Sequence, residues 1–230
     1  MIDTTRHTKI FDSSIFSQPV HIIGCGGMGS RIAEGLVRMG VGMKASPIIL
    51  YDGDAFESHN LANQLARGKD IGLAKVEAVK AQLLEINPKA HIKAMPMHVK
   101  GQWAMQGVVF ICVDSMRTRR ELMEDLILRV EEINCVIETR MDAEAGISHC
   151  FDPQHPKHIA AWKLHWFSDN EQDSIQGCSG SVSIISAIYG TTMLALKQFE
   201  QYAGAGSAWP VQHRLYQNFK EIQYKAESWS

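Results

Sequence analysis

The sequence lacks the features that mark several classes of protein. Its 230 residues contain no apolar run near the ~20 residues that a helix needs to cross a bilayer. Five cysteines, an odd number at scattered positions, do not indicate a disulfide framework. A formal net charge of −2 offers no positive excess for neutralising nucleic-acid phosphates. The first residues are polar and acidic where a signal peptide is apolar. We therefore expect a cytoplasmic protein that binds neither nucleic acid nor membrane.

Apolar segments and helical patterns alternate through the first 140 residues. Two of the segments, around 47–52 and 108–114, are almost wholly apolar, which is typical of parallel strands covered on both faces. The predicted strands are 20–23, 47–52, 91–97, 108–114 and 134–139, and the predicted helices are 30–39, a helix from Lys75 that stops at Pro88, and 117–130. This pattern predicts an α/β fold with a mostly parallel sheet and helices on both faces.

The pattern changes after Arg140. Residues 152–177 are polar and histidine-rich, and they predict a long, mobile crossover loop with no packed element. A last helix is predicted after Cys178, and the tail from Gly204 is compatible with either a hairpin or a helix. We expect one domain over 1–230, with a crossover loop at 151–178 and a carboxyl-terminal tail at 204–230.

The segment VHIIGCGGMGS, residues 20–30, predicts a strand, a tight turn and a helix. Gly24, Gly26 and Gly29 have the spacing G-x-G-x-x-G of a Rossmann-like nucleotide site. Glycines let the backbone approach a phosphate, and the helix amino terminus supplies unpaired N–H groups. Asp52 ends the second strand, where a carboxylate can bind ribose hydroxyls or can simply be a turn residue. The turn alone does not distinguish a dinucleotide from ATP, and it is also found without any ligand.

The turn is followed by further short motifs at characteristic spacings. The motif residues are Gly24, Gly26, Gly27, Gly29 and Ser30 of GCGGMGS, Asp52 and Asp54, Asn60, Leu61 and Gln64, Gly72 and Lys75, and Ile86, Asn87 and Pro88. Together they resemble the ThiF/MoeB/HesA superfamily, the adenylating core of ubiquitin-like activating enzymes. The resemblance covers roughly residues 18 to 200, which is most of the chain, and a glycine turn alone would be much weaker evidence.

The resemblance implies an ATP-dependent adenylyltransferase that activates the carboxyl terminus of a ubiquitin-like or ThiS/MoaD-like sulfur-carrier protein. It implies ATP and Mg²⁺ as cofactors and a homodimer, with a conjugating-enzyme-like or sulfurtransferase partner downstream. Asp52 would bind the ribose, Asn60 the phosphate region, Lys75 the β- and γ-phosphates, and Asp114 the Mg²⁺. Arg119 matches the arginine of the family pattern D-x-x-x-x-R. The implied nucleotide-binding set is Gly24, Gly26, Gly27, Gly29, Asp52, Asp54, Asn60, Gln64 and Lys75, and the implied catalytic set is Asp114, Lys75, Cys178 and Arg67.

The sequence departs from the family pattern at two points. Asn63 stands where the family has a phosphate-binding arginine, so Arg67 or Lys69 is expected to replace it. The arginine that the family borrows from a partner subunit has only Arg6 as a candidate, in surroundings that do not match. The two C-x-x-C pairs of zinc-binding relatives are missing, so no structural zinc is expected. The histidines of the crossover segment are expected to be solvated, namely His155, His158 and His165.

Other interpretations remain open at this point. Asp114 follows an apolar strand and is able to cap the next helix. Cys178 precedes the last helix, where relatives carry an acceptor thiol, but it is equally an inert loop cysteine. The glycine turn with Asp52 alone is compatible with an NAD-dependent oxidoreductase. Asn63 in place of arginine is compatible with a non-catalytic nucleotide-binding adaptor. The identity of the carrier, and the choice between sulfur transfer and protein conjugation, stay open.

Overall fold

The computed structural model describes residues 2–43, 46–100, 105–125, 127–166, 183–204 and 212–229. These contain a sheet of eight strands in the order β3-β2-β1-β4-β5-β6-β7-β8, parallel from β3 to β5 and antiparallel from β5 to β8. The strands are β1 Val20–Ile23, β2 Ile48–Tyr51, β3 Ile92–Met95, β4 Gly107–Ile111, β5 Ile133–Met141, β6 Ala145–Phe151, β7 Arg214–Asn218 and β8 Gln223–Glu227.

Helices cover both faces of the sheet because neighbouring strand residues point to opposite sides. Ile22 packs with α1, α2 and α5, whereas Ile23 packs with α3 and α4. The helices are α1 Gly27–Arg38, α2 Lys75–Ile86, α3 Met116–Asp125, α4 Pro156–Leu164 and α5 Ile185–Gly204, with short 3₁₀ helices at Ser58–Ala62, Gly68–Asp70 and Ile127–Arg129. The predicted fold class is confirmed, and the apolar runs of β1, β2 and β4 are explained by burial on both faces.

The predicted loop at 152–177 is wrong in its first half. Residues Pro156–Leu164 form the helix α4. Pro156 is its first residue, where the missing N–H loses no hydrogen bond within the helix. Trp162 of this helix is buried under the sheet. His158 is also buried: its ring stacks on His155 at a centroid distance of 4.2 Å and lies tilted against His213 at 4.3 Å. The expectation that His158 is solvated is therefore wrong. The second half of that segment, with Cys178, lies outside the described residues.

The last part of the chain resolves an alternative that the sequence left open. The tail forms a hairpin of β7 and β8, which extends the sheet beyond β6. The preceding helix, α5, lies against β5 and β6 and packs on α1. A membrane-crossing helix is not found among the described residues, since each helix there is too short or too polar.

Candidate active site

One cavity of about 670 Å³ lies at the carboxyl ends of β1, β2, β4 and β5. Its wall includes Gly26 from the turn after β1, Asp52 after β2, Asp114 after β4 and Arg140 from β5. Parallel strands end at the same edge, and β1 lies where the chain order reverses, between β2 and β4. Ligands of open α/β sheets bind at such a reversal point.

The three glycines of the turn have different roles. Gly24 has φ +92°, and a Cβ there would lie 2.8 Å from the Cys112 carbonyl oxygen. A Cβ on Gly29 would lie 1.8 Å from the Gly24 carbonyl oxygen. Gly26 faces the cavity, where the nearest atom to a Cβ, Gln64 Nε2, is 3.9 Å away. Gly24 and Gly29 therefore allow the turn to pack closely, and Gly26 leaves space in the cavity beside α1. The amino terminus of α1 has no side-chain cap, so its N–H groups can bind an anion in that space.

Asp52 connects the end of β2 to the glycine turn. One carboxylate oxygen accepts a hydrogen bond from the Cys25 N–H at 2.7 Å, and the other accepts one from the Asp54 N–H at 2.9 Å. Asp52 is thus a turn residue, and its partly exposed carboxylate also lines the cavity. The two interpretations of Asp52 are compatible.

Lys75 is buried at the start of α2, although a lysine opening a helix is usually solvated. Its Nζ donates to Asp54 Oδ2 at 2.9 Å, and its N–H donates to the Asp54 carbonyl oxygen. The ammonium group is therefore held at the cavity wall, beside the end of β2.

Three carboxamides form the next part of the wall. Asn60 is buried and accepts a hydrogen bond from the Glu57 N–H, which fixes the 3₁₀ turn that carries it. Asn63 Nδ2 donates to Ser183 Oγ at 2.5 Å. Within the described part of the chain, Asn63 Oδ1 and Gln64 Oε1 are buried with no hydrogen-bond partner. Buried polar atoms are normally paired, so these two oxygens could accept hydrogen bonds from a ligand.

Asp114 is an exposed carboxylate on the cavity wall, three residues after the end of β4. A helix cap was the alternative role for Asp114, but its neighbour supplies a cap, since Ser115 Oγ accepts a hydrogen bond from the Thr118 N–H at 3.2 Å. A single carboxylate with room for water and phosphate oxygens is a usual arrangement for Mg²⁺.

The structure does not bring Arg67 or Lys69 to the cavity. Arg67 forms ion pairs with Asp70 at 3.3 Å and with Glu85 of α2 at 3.0 Å, and Lys69 is exposed on the adjacent 3₁₀ turn. The expectation that either replaces the family arginine is therefore corrected. Among the described residues, the arginines that line the cavity are Arg119 and Arg140.

Glu138 binds both of these arginines, and this cluster was not predicted from the sequence. Its Oε1 accepts hydrogen bonds from Arg119 Nη1 at 3.1 Å and from Arg140 Nε at 2.8 Å. Its Oε2 accepts from Arg140 Nη2, from His149 Nδ1 and from Trp162 Nε1. Four elements thus converge on one fully buried carboxylate. The only signal in the sequence was a glutamate and an arginine two residues apart near the end of an apolar strand.

The pKa values in this cluster follow from burial and charge. Burial alone would raise the pKa of Glu138, but Arg140, the His149 hydrogen bond and Arg119 outweigh it and hold that pKa well below its usual range. Burial lowers the pKa of His149 to about 4. At neutral pH the cluster therefore contains an ionised carboxylate, two guanidinium groups and a neutral imidazole.

Comparisons with known proteins agree with this geometry. The model of the ThiF family matches residues 8–196. The chain belongs to the ThiF family. Among curated relatives, ubiquitin-like modifier-activating enzyme 5 of Caenorhabditis elegans is 37% identical over 170 residues, which cover 67% of this chain and 38% of that protein. Mouse adenylyltransferase and sulfurtransferase MOCS3 is 28% identical over 136 residues, which cover 56% of this chain and 29% of that protein.

Solved structures show the same fold at low sequence identity. Escherichia coli MccB in its complex with ATP has a TM-score of 0.68 at 15% identity, covering 97% of this chain and 67% of that one. PaaA has a TM-score of 0.67 at 18% identity, covering 92% of this chain and 64% of that one. The matched part is less than two fifths of the length of the two curated relatives named above.

The lowered pKa of His149 predicts a pH dependence of stability. Unfolding restores the pKa from about 4 to 6.5, so between these values the unfolded chain binds a proton that the folded chain excludes. Stability therefore falls as the pH falls from 6.5 to 4, by at most about 1.4 kcal/mol per pH unit for this residue. His149→Asn, whose amide can still donate to Glu138, is expected to make this slope shallower in urea unfolding measured across the window. The exposed His59→Asn is the control with an unchanged slope, and equal slopes for His149→Asn and the unmodified protein would contradict the prediction.

Proposed function

We propose that this protein is an ATP-dependent adenylyltransferase that activates the carboxyl terminus of a small ubiquitin-like or sulfur-carrier protein. The observation that carries the proposal is the convergence of the glycine turn, Asp52, Lys75 and Asp114 on one cavity. The family membership and the printed names of the relatives point the same way. The nicotinamide alternative rests on the turn and Asp52 alone, and it leaves Lys75 and Asp114 without a role.

The cavity contains residues suited to the ribose and to the phosphates of ATP. Asp52 would bind the ribose, and the amino terminus of α1 and Lys75 would bind the phosphates. Binding would require Lys75 to share its ammonium group between Asp54 and a phosphate oxygen. Asp114 would hold Mg²⁺ with water and phosphate oxygens, and the ion would neutralise charge on the phosphates.

The reaction requires mainly that the protein positions the carrier carboxylate and ATP and neutralises their negative charges. A carboxylate oxygen of the carrier attacks the α-phosphorus, the bond from that phosphorus to the bridging oxygen breaks, and pyrophosphate leaves. No proton transfer is required. The residues of the chain bring two anions together and orient the attack in line with the leaving group.

A transfer to a thiol would follow adenylation. Cys25, Cys112, Cys135 and Cys150 are all buried, and burial raises the pKa of Cys112 to about 12. None of these four is suited to act as a nucleophile at neutral pH. We propose the remaining cysteine, Cys178, as the acceptor, on the strength of its sequence position before α5.

The partners and assembly belong to the same proposal. We propose a homodimer, a ubiquitin-like or ThiS/MoaD-like carrier, and a downstream conjugating-enzyme-like or sulfurtransferase partner, in the cytoplasm. We also propose that the chain acts as a single ThiF-type domain. A β-grasp protein ending in glycine and encoded beside this chain is the first carrier to test.

Asp114→Ala is expected to abolish pyrophosphate–ATP exchange in the presence of such a carrier, because the change removes the Mg²⁺ ligand. The melting temperature should stay close to that of the unmodified protein, since Asp114 is exposed. Glu121→Ala, which removes an exposed carboxylate from α3, is the matched control and should exchange normally. Full exchange by Asp114→Ala would refute the metal role, and ATP binding without exchange by the unmodified protein would favour the adaptor.

Cys178→Ala is expected to leave pyrophosphate exchange nearly unchanged, because adenylation needs only the cavity. The same variant should lose any thiol-sensitive covalent adduct with the carrier on a non-reducing gel. Cys150→Ala is the comparison, and its adduct should persist. An adduct that survives in Cys178→Ala assigns the acceptor role to a different thiol, and no adduct in the unmodified protein would indicate direct transfer from the adenylate.

A further inference from the structure

Asp54 has a basic side chain beside each of its carboxylate oxygens. Its Oδ2 accepts a hydrogen bond from Lys75 Nζ at 2.9 Å, and its Oδ1 lies 3.8 Å from His98 Nε2. His98 is the third residue after the end of β3, and its side chain is 65% exposed. All three residues line the cavity. A single carboxylate is therefore shared between an ammonium group that is already charged and an imidazole that can become charged.

Gly53 provides the space in which the His98 ring lies. A Cβ on Gly53 would be 2.5 Å from His98 Nε2 and 2.6 Å from its Cδ2, which is too close for either atom. Gly53 is not one of the glycines with a positive φ, so its backbone would accept another residue and only the side chain is excluded. The imidazole is therefore packed against the loop that joins Asp52 to Asp54, despite its exposure to solvent.

The charged groups near His98 come from the loop after β2, from α2 and from its own segment. Asp52 accepts the N–H groups of two other residues, and Lys75 begins α2 and pairs with Asp54. Lys100 is two residues further along the chain from His98 and is exposed. Among the described residues, the carboxylate that pairs with His98 is that of Asp54. The charge of His98 and the hydrogen bond of Lys75 therefore meet at the same acidic side chain.

We propose that His98 is a positioning residue for Lys75 and that it takes up a proton when ATP binds. The inference rests on the proposed function, in which Lys75 shares its ammonium group with a phosphate oxygen. As Lys75 turns towards the phosphate, its hold on Asp54 weakens. Imidazole is the side chain that gains charge most readily near neutral pH, and an imidazolium carries a proton on both nitrogens. Nε2 of protonated His98 then donates to Asp54 Oδ1, and Lys75 is left to the nucleotide.

The coupling has a defined sign. If ATP binding favours protonation of His98, protonation of His98 favours ATP binding by the same factor. The affinity for ATP is therefore expected to rise as the pH falls through the neutral range. The size of the effect should be roughly two- to fivefold, the range of one exposed ion pair.

The proton uptake is measured by isothermal titration calorimetry. A non-hydrolysable ATP analogue with saturating Mg²⁺ is titrated near neutral pH in buffers of different ionisation enthalpy, and the slope of the observed heat against that enthalpy gives the number of protons taken up. The unmodified protein should take up a fraction of one proton and should bind the analogue more tightly in mildly acidic than in mildly alkaline buffer. The ionisation of the analogue is the same in every titration, so a difference between variants reports the protein.

Three substitutions at exposed positions test the assignment. His98→Gln keeps a hydrogen-bond donor beside Asp54 but cannot gain charge, so the uptake and its pH dependence should be lost while the analogue still binds in alkaline buffer. Gly53→Ala keeps the histidine and displaces its ring, and it should lose most of the uptake. His59→Gln is the matched control, because His59 is another exposed histidine that lines the cavity, 3.5 Å from Glu57. The uptake should persist in that variant.

The outcomes separate this proposal from the proposed function. No proton uptake by the unmodified protein overturns the role of His98 even if the analogue binds. Undiminished uptake in His98→Gln, or loss of the uptake in His59→Gln, assigns the proton to another group and also overturns it. Undiminished uptake in Gly53→Ala contradicts the requirement for the ring position. Failure of the unmodified protein to bind the analogue at any pH refutes the proposed function instead.

Discussion

The turn after β1 is hydrogen-bonded to both neighbouring strand ends, and the site depends on this contact. Gly24 N–H donates to the Tyr51 carbonyl oxygen at 2.8 Å, and the Ile23 carbonyl oxygen accepts from Cys112 N–H at 2.8 Å. The Asp52 carboxylate adds a third link through the Cys25 N–H. Because the turn is held from both sides, the amino terminus of α1, Asp52 and the segment leading to Asp114 keep fixed relative positions. Only glycine permits the approach of Gly24 to the Cys112 carbonyl.

A second constraint lies at the end of β5. Glu138 forms ion pairs with both Arg119 and Arg140, so replacing it would remove the carboxylate that the two arginines share at this buried place. Covering this cluster requires α4, whose Trp162 donates to Glu138 and fills the space beneath the sheet. The segment that the sequence predicted to be a loop therefore covers the buried Glu138 cluster, two of whose arginines line the cavity.

The sequence predicted well what depends on local pattern. Strands β1, β2 and β4 are apolar because both of their faces are buried, and the glycine spacing, Asp52, Lys75 and Asp114 follow the family pattern closely enough to be found together. It predicted poorly what depends on contacts between distant segments. Arg67 is near the site along the chain, but Glu85, 18 residues further on, draws its side chain away. From the sequence, His158 was predicted to be a solvated loop histidine. In the fold it is buried, and His213, just before β7, contacts its ring.

The Glu138 cluster illustrates the same limit within the site. Arg119, Arg140, His149 and Trp162 come from α3, β5, β6 and α4, and no spacing rule connects them. Charged residues are rarely buried unless they are paired. Glu138 and Arg140 in the otherwise apolar β5 therefore imply partners from other elements. The Glu138 cluster therefore becomes visible only when the chain is folded, because its members come from four different elements.

The central claim is that the cavity at the carboxyl ends of β1, β2, β4 and β5 is an ATP site and not a dinucleotide site. Isothermal titration of the purified protein with ATP, with and without Mg²⁺, and with NAD⁺ tests this claim without needing the carrier. The account predicts saturable, Mg²⁺-dependent binding of ATP and no measurable heat with NAD⁺. Tight binding of NAD⁺ with no response to ATP would contradict it.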